Sequence, residues 1–374
     1  MIPLFKVHLP ESVDKPLLDV LHGGFIGQGP KVEEFEAQLK VKLANPYILT
    51  TNSGTSAIQL ALRLADVGPG DEVMCTAMTC TASNMPVLAT GAKIVWADIN
   101  PKTGNIDPDS IISNMSTDTK VIIPVHYGGY PCDMDEIRHI AGAFNLRVIE
   151  DAAHAFGAEY RGIPIGQGGD FTCFSFQAIK HLTTVDGGLL CCSNEEDYRR
   201  GKLLRWYGIS REDKNRKDFR CENDIESWGY KFNMHDVSAC IGIEQLKYVD
   251  GLIQRSRENA VYYDTQFKER EIKSVKPLEY DDSRWSSYWL YVVKCDNRDG
   301  FVAFMNERGI QVSQVHKRND VHSCFAAYKP EEPLRGVDEF SSRQCALPVG
   351  WWLSREDRQY IMDKIGEWEN KHGQ

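Results

Sequence analysis

Hydrophobic and polar positions follow two alternating rhythms through the first two thirds of the chain. Apolar runs of strand length occur in GDEVMCTA (70–77), AKIVWADI (92–99), TKVIIPVHYGG (119–129) and LRVIEDAAHAFG (146–157). Between them, SAIQLALRLADV (56–67), NMPVLATG (84–91) and MDEIRHIAGAFN (134–145) carry apolar residues at helical spacing. Strand–helix alternation of this kind predicts an α/β unit with a mostly parallel central sheet flanked by helices. In such sheets ligands gather at the carboxyl ends of the strands.

The texture changes beyond residue 200. FRCENDIESWGYKFN (219–233) reads as irregular, and residues 234–270 read as one long helix, bent near Gly251. SSYWLYVVKC (286–295) and IQVSQVH (310–316) read as strands, with a helix over RDGFVAFMNERG (298–309) between them. The last element is a helix over 354–370, with Ser354 as its N-cap. The pattern predicts a large α/β domain over 1–250 and a smaller α+β domain over 251–374, with the first thirty residues packed on either.

Composition narrows the class. The chain has 374 residues, 42% hydrophobic and 26% charged, as in ordinary globular proteins. The net charge of −10 disfavours nucleic acid or an anionic membrane as the main partner. No apolar run reaches the roughly 18 residues of a membrane-spanning helix, and no signal-peptide pattern opens the chain. Eleven cysteines without a CxxC pair suggest reduced, mostly buried thiols and a cytoplasmic protein. Cys191 and Cys192 would face opposite sides of a strand. No metal site is expected.

Three short segments carry the candidate chemistry. In TNSGTSAIQLAL, Gly54 permits a tight turn, and Thr55 and Ser56 offer hydroxyls and free N–H groups at a helix start, a ready anion site. Ordinary N-capping is the simpler account of that segment alone. In VIEDAAHAFGAEYRG, a strand ends on Glu150-Asp151 with His154 close behind, an arrangement more often structural when it stands alone. In SFQAIKHLTTVDGGLL, Lys180 sits in an apolar stretch beside Ser175, Thr183 and Thr184. A buried amine of lowered pKa is a nucleophile, although a lone lysine there is more simply a surface residue. One ligand needs all three segments. Pyridoxal phosphate has a phosphate, a ring nitrogen that pairs with a carboxylate, and an aldehyde that reacts with a lysine.

At these residues the chain resembles the nucleotide-sugar aminotransferases of the DegT–DnrJ–StrS group, within the fold-type-I pyridoxal-phosphate enzymes. GGFIGQGPKVEEFE, NSGTSAIQLAL, GAKIVWADINPKTGNIDP, PVHYGGYPCDMDEI, VIEDAAHAFGAEYRGIPIG, GDFTCFSFQAIKHLTTVDGGLL and GYKFNMHDVSACIGIEQL follow the family's blocks in order. The resemblance implies Lys180 as the Schiff-base lysine and Asp151 as partner of the pyridine nitrogen. It implies Gly54, Thr55, Ser56, Ser175 and Gln177 around the cofactor, and His154 beside the ring hydroxyl. Asn233, with Lys231, falls where a neighbouring subunit completes the site, so a homodimer is implied.

Two positions depart from the family. Cys80 stands where relatives stack an aromatic ring on the cofactor. In VHKRNDVHSCF (315–325), His316, Lys317, Arg318 and His322 replace an aromatic, proline-containing segment; their charge suits a substrate diphosphate or another acidic group, and a solvated loop is the equal alternative. The implied reaction is ping-pong transfer of an amino group from L-glutamate to a keto-sugar, most simply a nucleotide-linked 4-keto-6-deoxyhexose, in the making of surface-glycan amino sugars. A 3-keto sugar or another ketone is the alternative substrate. A related dehydratase group is the alternative activity, disfavoured by Lys180 because those relatives carry histidine there.

Overall fold

The structure is a computed structural model and describes residues 1–210 and 224–373. Its centre is a seven-stranded sheet: β1 (Ile48–Thr51), β2 (Glu72–Thr76), β3 (Lys93–Ala97), β4 (Thr119–Ile123), β5 (Arg147–Asp151), β8 (Phe171–Ser175) and β9 (Gly188–Cys192). The spatial order is β1-β9-β8-β5-β4-β2-β3. The neighbours β3, β2, β4, β5 and β8 run parallel. β9 runs antiparallel to both β8 and β1. The strands are buried almost throughout, because helices cover both faces and alternation with polar residues is lost. Cys191 and Cys192 fall into different apolar clusters, one on each face of β9.

One edge of this sheet gathers the carboxyl ends of β1, β2, β5 and β8 with the amino end of β9. Two glycines let the backbones meet there. A Cβ on Gly188 would lie 2.4 Å from the Ser53 carbonyl, and a Cβ on Gly54 would lie 2.9 Å from Ser175 Cβ. Only glycine fits where the turn after β1 crosses the end of β8. The helix Gly54–Leu64 then starts under the Ser53 cap, whose Oγ accepts from Ser56 N.

A second, smaller core is built by β10 (Val275–Pro277), β12 (Tyr291–Cys295) and β13 (Gln344–Leu347), in the order β10-β12-β13, with the helices Val249–Glu269, Arg298–Glu307 and Arg355–His372. Two-residue strands β6 (Glu159–Tyr160), β7 (Ile163–Pro164) and β11 (Arg284–Trp285) form a third sheet. The N-terminal segment touches both cores: Leu4 joins the sheet core and Ile2 packs against the second.

Two expected elements differ. The long helix is two helices, Asp236–Leu246 and Val249–Glu269, and Gly251 lies within the second rather than at a bend. The first is buried nearly all round and packs on the Pro30–Leu43 helix; the second faces the smaller core. The break at Lys247–Tyr248 lets the chain change cores. The expected strand over 310–316 is absent, leaving isolated bridges of Ile310 to Ile2 and Ser313 to Ala346. Its backbone is shared between two partners and side-chain groups such as Asn306, which donates to Val312 O. Part of the irregular 219–233 segment, residues 219–223, lies outside the described residues. The terminal helix carries the expected cap: Ser354 and Asp357 form a capping box.

Candidate active site

A cavity of about 570 Å³ opens at the shared strand edge. It is lined by Gly54, Thr55, Cys80, Asp151, His154, Ser175, Gln177, Lys180 and His316, among others. Its size is that of a cofactor or small-ligand site.

Each side chain arrives from a strand end or the turn after it. Thr55 is exposed on the first turn of its helix, while Ser56 is buried beneath, its hydroxyl 2.8 Å from Ser53 Oγ. Ser175 closes β8, and its Oγ accepts from Gln177 N at 3.4 Å. Gln177 is exposed and turns its Oε1 back to Ile179 N. Asp151 ends β5 and is buried. Its Oδ1 accepts from Ala153 N at 3.0 Å and its Oδ2 from Ser83 Oγ at 2.6 Å. Ser83 is itself 2.8 Å from Thr79 Oγ1. Cys80 stands at the N-cap position of the helix Thr81–Leu88 without a side-chain cap hydrogen bond, and Asn319 clamps its loop by donating to Ala77 O and Cys80 O.

Lys180 follows a tight turn in which its N–H donates to Gln177 O. Its Nζ lies 3.6 Å from the centroid of the Trp289 ring. Burial pulls the amine down to about 7, against the opposing pull of Asp151 and Cys80. His154 lies flat on the other rings, 3.9 Å from Trp289 and 5.4 Å from His316. Burial, with the neighbouring Lys180 charge, holds His154 well below the usual imidazole range. His154 Nδ1 and His316 Nε2 are buried without hydrogen-bond partners among the described residues.

Ser56, Lys231, Asn233, Lys317, Arg318 and His322 are predicted positions that do not line the cavity. Arg318 grips Asp320 through two hydrogen bonds of 2.7 Å and also pairs with Asp338. Its fork is already filled, which corrects the expectation that it meets a substrate diphosphate. Asn233 bridges Thr51 through its backbone, and its Oδ1 accepts from Lys231 Nζ at 2.6 Å. Lys231 Nζ lies 3.6 Å over the Trp206 ring. His316 does line the cavity, but burial and the Lys180 charge hold it down to about 4, so it is a neutral hydrogen-bonding group and not a cation at neutral pH.

Phe5, Thr79, Ser83 and Trp289 line or brace the site and are not among the predicted residues. Phe5 stacks on Trp289 at 5.2 Å. Ser83 had one available signal, a polar residue in an apolar helix next to a strand end.

The donor set fits pyridoxal phosphate. The helix start at Gly54–Thr55 and Ser175 line the cavity with hydroxyls and N–H groups for a phosphate, while Ser56 is spent on the Ser53 cap. Asp151 supplies a fixed anion for the ring nitrogen, and the orphaned Nδ1 of buried His154 suits a ring substituent. Lys180 supplies an amine of lowered proton affinity for the carbonyl. Among the described residues no group of three or more His, Cys, Asp and Glu is placed to hold a metal ion. No helix among them is long and apolar enough to cross a membrane.

The sequence matches the DegT/DnrJ/EryC1/StrS aminotransferase family over residues 9–366. The chain belongs to this family. The aminotransferase is 38% identical to the spore coat polysaccharide biosynthesis protein SpsC of Bacillus subtilis, over 93% of this chain and 92% of that protein. It is 29% identical to the UDP-4-amino-4-deoxy-L-arabinose–oxoglutarate aminotransferase of Shewanella sediminis, over 98% of this chain and 97% of that one. The sugar aminotransferase CalS13 of Micromonospora echinospora superposes with a TM-score of 0.93 at 36% identity, covering 98% of this chain and all of that one. The protein is thus a pyridoxal-phosphate-dependent aminotransferase of the sugar aminotransferase family.

Proposed function

We propose that this aminotransferase moves an amino group from L-glutamate to a nucleotide-linked 4-keto sugar, most simply a 4-keto-6-deoxyhexose, in the cytoplasm. The observation that carries the reading is the opposition of Lys180 and Asp151 across one cavity, an amine of lowered pKa facing a fixed carboxylate. The Shewanella relative, named for a UDP-linked 4-amino sugar and oxoglutarate, supports the substrate class and the donor. The Bacillus relative, named for a spore coat polysaccharide, supports a glycan product.

When bound, pyridoxal phosphate supplies an electron sink beside the reacting carbon and a carrier for the amino group. The chain's own residues do the rest. Gly54, Thr55 and Ser175 anchor the phosphate, with Ser56 bracing the turn from beneath. Asp151 holds a proton at the ring nitrogen, and the hydrogen bonds from Ser83 and Ala153 fix its direction. Lys180 takes a proton from the donor's Cα and returns one to the acceptor's carbon. An amine near 7 is half neutral at neutral pH, which suits a group that must both accept and donate. His316 and Trp289 wall the space left for the sugar.

We also propose a homodimer, with Asn233 and Lys231 serving the partner's site. Exposed apolar residues Phe25, Ile26, Val185 and Trp228 support it. A second copy would cover them in an interface of roughly 2,000 Å² or more. The test is a spectrum of the purified holoenzyme: visible absorbance bleaches with L-glutamate and returns on adding UDP-, dTDP- or GDP-linked 4-keto sugars in turn. Return with none of them, but with a 3-keto sugar, would overturn the substrate reading and leave the donor reading standing.

A further inference from the structure

We propose that Trp289 is a positioning residue, its ring face being the seat that the Lys180 amine occupies whenever no carbonyl holds it. The inference rests on reading Lys180 as the group that moves the proton. Among the described residues, Lys180 Nζ makes no hydrogen bond or ion pair; its contact is the indole face at 3.6 Å. The same indole holds the lysine's own backbone. Trp289 Nε1 donates to Ile179 O, the carbonyl immediately before Lys180, at 2.9 Å. Edge and face of one ring therefore grip one short segment at two points.

The ring is not free to move. Phe5, from the N-terminal segment, stacks at 5.2 Å and 27°, and His154 stacks at 3.9 Å and 16°. The next residue, Leu290, donates its N–H to Gly128 O just ahead of β12. Trp289 is thus fixed by three separate parts of the chain, and the amine inherits that fixity.

The chemistry of an aromatic face suits the task. A carboxylate at that distance would favour the ammonium strongly and lock the proton on. A purely aliphatic wall would give the ammonium nothing against desolvation. The negative face of an indole lies between these, attracting the charged form without supplying a counter-anion. The other groups facing the amine are Asp151, which ends β5, Cys80 at the head of its helix, and Asp186 on the cavity wall. His154, His316 and His181 also surround it, and burial and the lysine charge hold all three low, so they are neutral at neutral pH.

The test reads the lysine itself. The full chain is loaded with pyridoxamine 5′-phosphate, so that no carbonyl holds Lys180, and labelled with acetic anhydride from about pH 6 to 10. Peptide mass spectrometry then follows acetylation at Lys180 alone. The wild type should titrate below the ordinary lysine value of 10.5. Trp289→Leu should titrate about one unit lower, and Trp289→Phe between the two, because phenyl keeps a weaker ring face. Identical curves for all three proteins would overturn the proposal. So would a phenylalanine variant shifted as far as the leucine one, since loss of packing alone would then explain the change. If the leucine variant does not fold, the phenylalanine variant decides: a small downward shift supports the seat and no shift overturns it. Failure of the glutamate reading leaves this titration untouched, so the two are separable.

Discussion

Two ionic groups lie close to β1 and β8, and they are held in opposite ways. Arg205, directly after the helix Glu195–Leu204, is 4% exposed and pairs with Glu36 at 2.6 Å. Glu36 Oε1 also accepts from Thr50 N and Thr50 Oγ1. Burial pushes that carboxyl up, but Arg205 and the Thr50 hydrogen bonds outweigh it and keep the group ionised. Lys180 is partly buried on the cavity wall, yet among the described residues no anion pairs with it, and its proton affinity falls instead. The first arrangement is locked in one charge state and braces three elements. The second is left balanced between two states. Perturbation of a buried charge therefore does not by itself mark chemistry; the absence of a neutralising partner, inside a cavity, does.

The sharpest break of this contrast is Lys180→Ala. Removing the general base costs roughly 10²–10⁴-fold in turnover, with the loss of the carbonyl-binding amine on top. The fold should survive, because the alanine removes an unpaired group. A sign follows for pH as well. The folded protein binds fewer protons at Lys180 than the unfolded chain between about 7 and the ordinary lysine value of 10.5. Stability of the cofactor-free protein, measured against Lys180→Met, should therefore rise with pH through that window and be level below it. Denaturant midpoints at several pH values check it, and a gap that stays constant would show that the amine is not desolvated.

Arg205→Ala tests the other side. It leaves Glu36 buried without its cation, and loss of one partner of such a pair costs about 3–5 kcal/mol. Equilibrium denaturation should show that loss while the Lys180 titration stays near 7. The double change Arg205→Met with Glu36→Leu should recover much of it, as an apolar replacement often does. A single variant as stable as wild type would mean that the pair is solvated and the contrast is false.

The sheet and its edge were legible in part, where their signals are local. Asp151 ends a strand whose apolar run is visible at 146–157; β1 and β8, beside Gly54, Ser175 and Lys180, were not read as strands, and those residues stood out by their local chemistry alone. Trp289 was not legible, since it opens an apolar run and looks like any core residue. Its role comes from meeting Ile179 and Lys180, 110 and 109 positions away. Arg318 misled for the reverse reason: its charge is plain in the sequence, but Asp320 and Asp338, which consume it, matter only through their placement. The break at Lys247–Tyr248 also had no local signal, having neither glycine nor proline, because the change of core that requires it is tertiary.

The smallest expected effect refines what holds Asp151, the buried carboxylate of the cavity. Asp151 is oriented by two donors, and only one of them, Ser83 Oγ, is a side chain. A hydrogen bond to a charged acceptor is worth about 1.5–3 kcal/mol. Ser83→Ala removes it while Ala153 N still holds Oδ1, so the carboxylate stays in the cavity with one oxygen unbraced. Turnover should fall by about tenfold, equivalent to roughly 1.4 kcal/mol, far less than for loss of the carboxylate charge in Asp151→Asn. Thr79 also loses its partner, so some stability is lost regardless of chemistry. Ser83→Thr separates the two contributions, because it returns a hydroxyl to the same helix position. If threonine restores both turnover and the visible spectrum of the bound cofactor, the hydrogen bond to Asp151 is what matters. If alanine leaves turnover unchanged, Ala153 N alone orients the carboxylate, and Ser83 only packs the helix against β5.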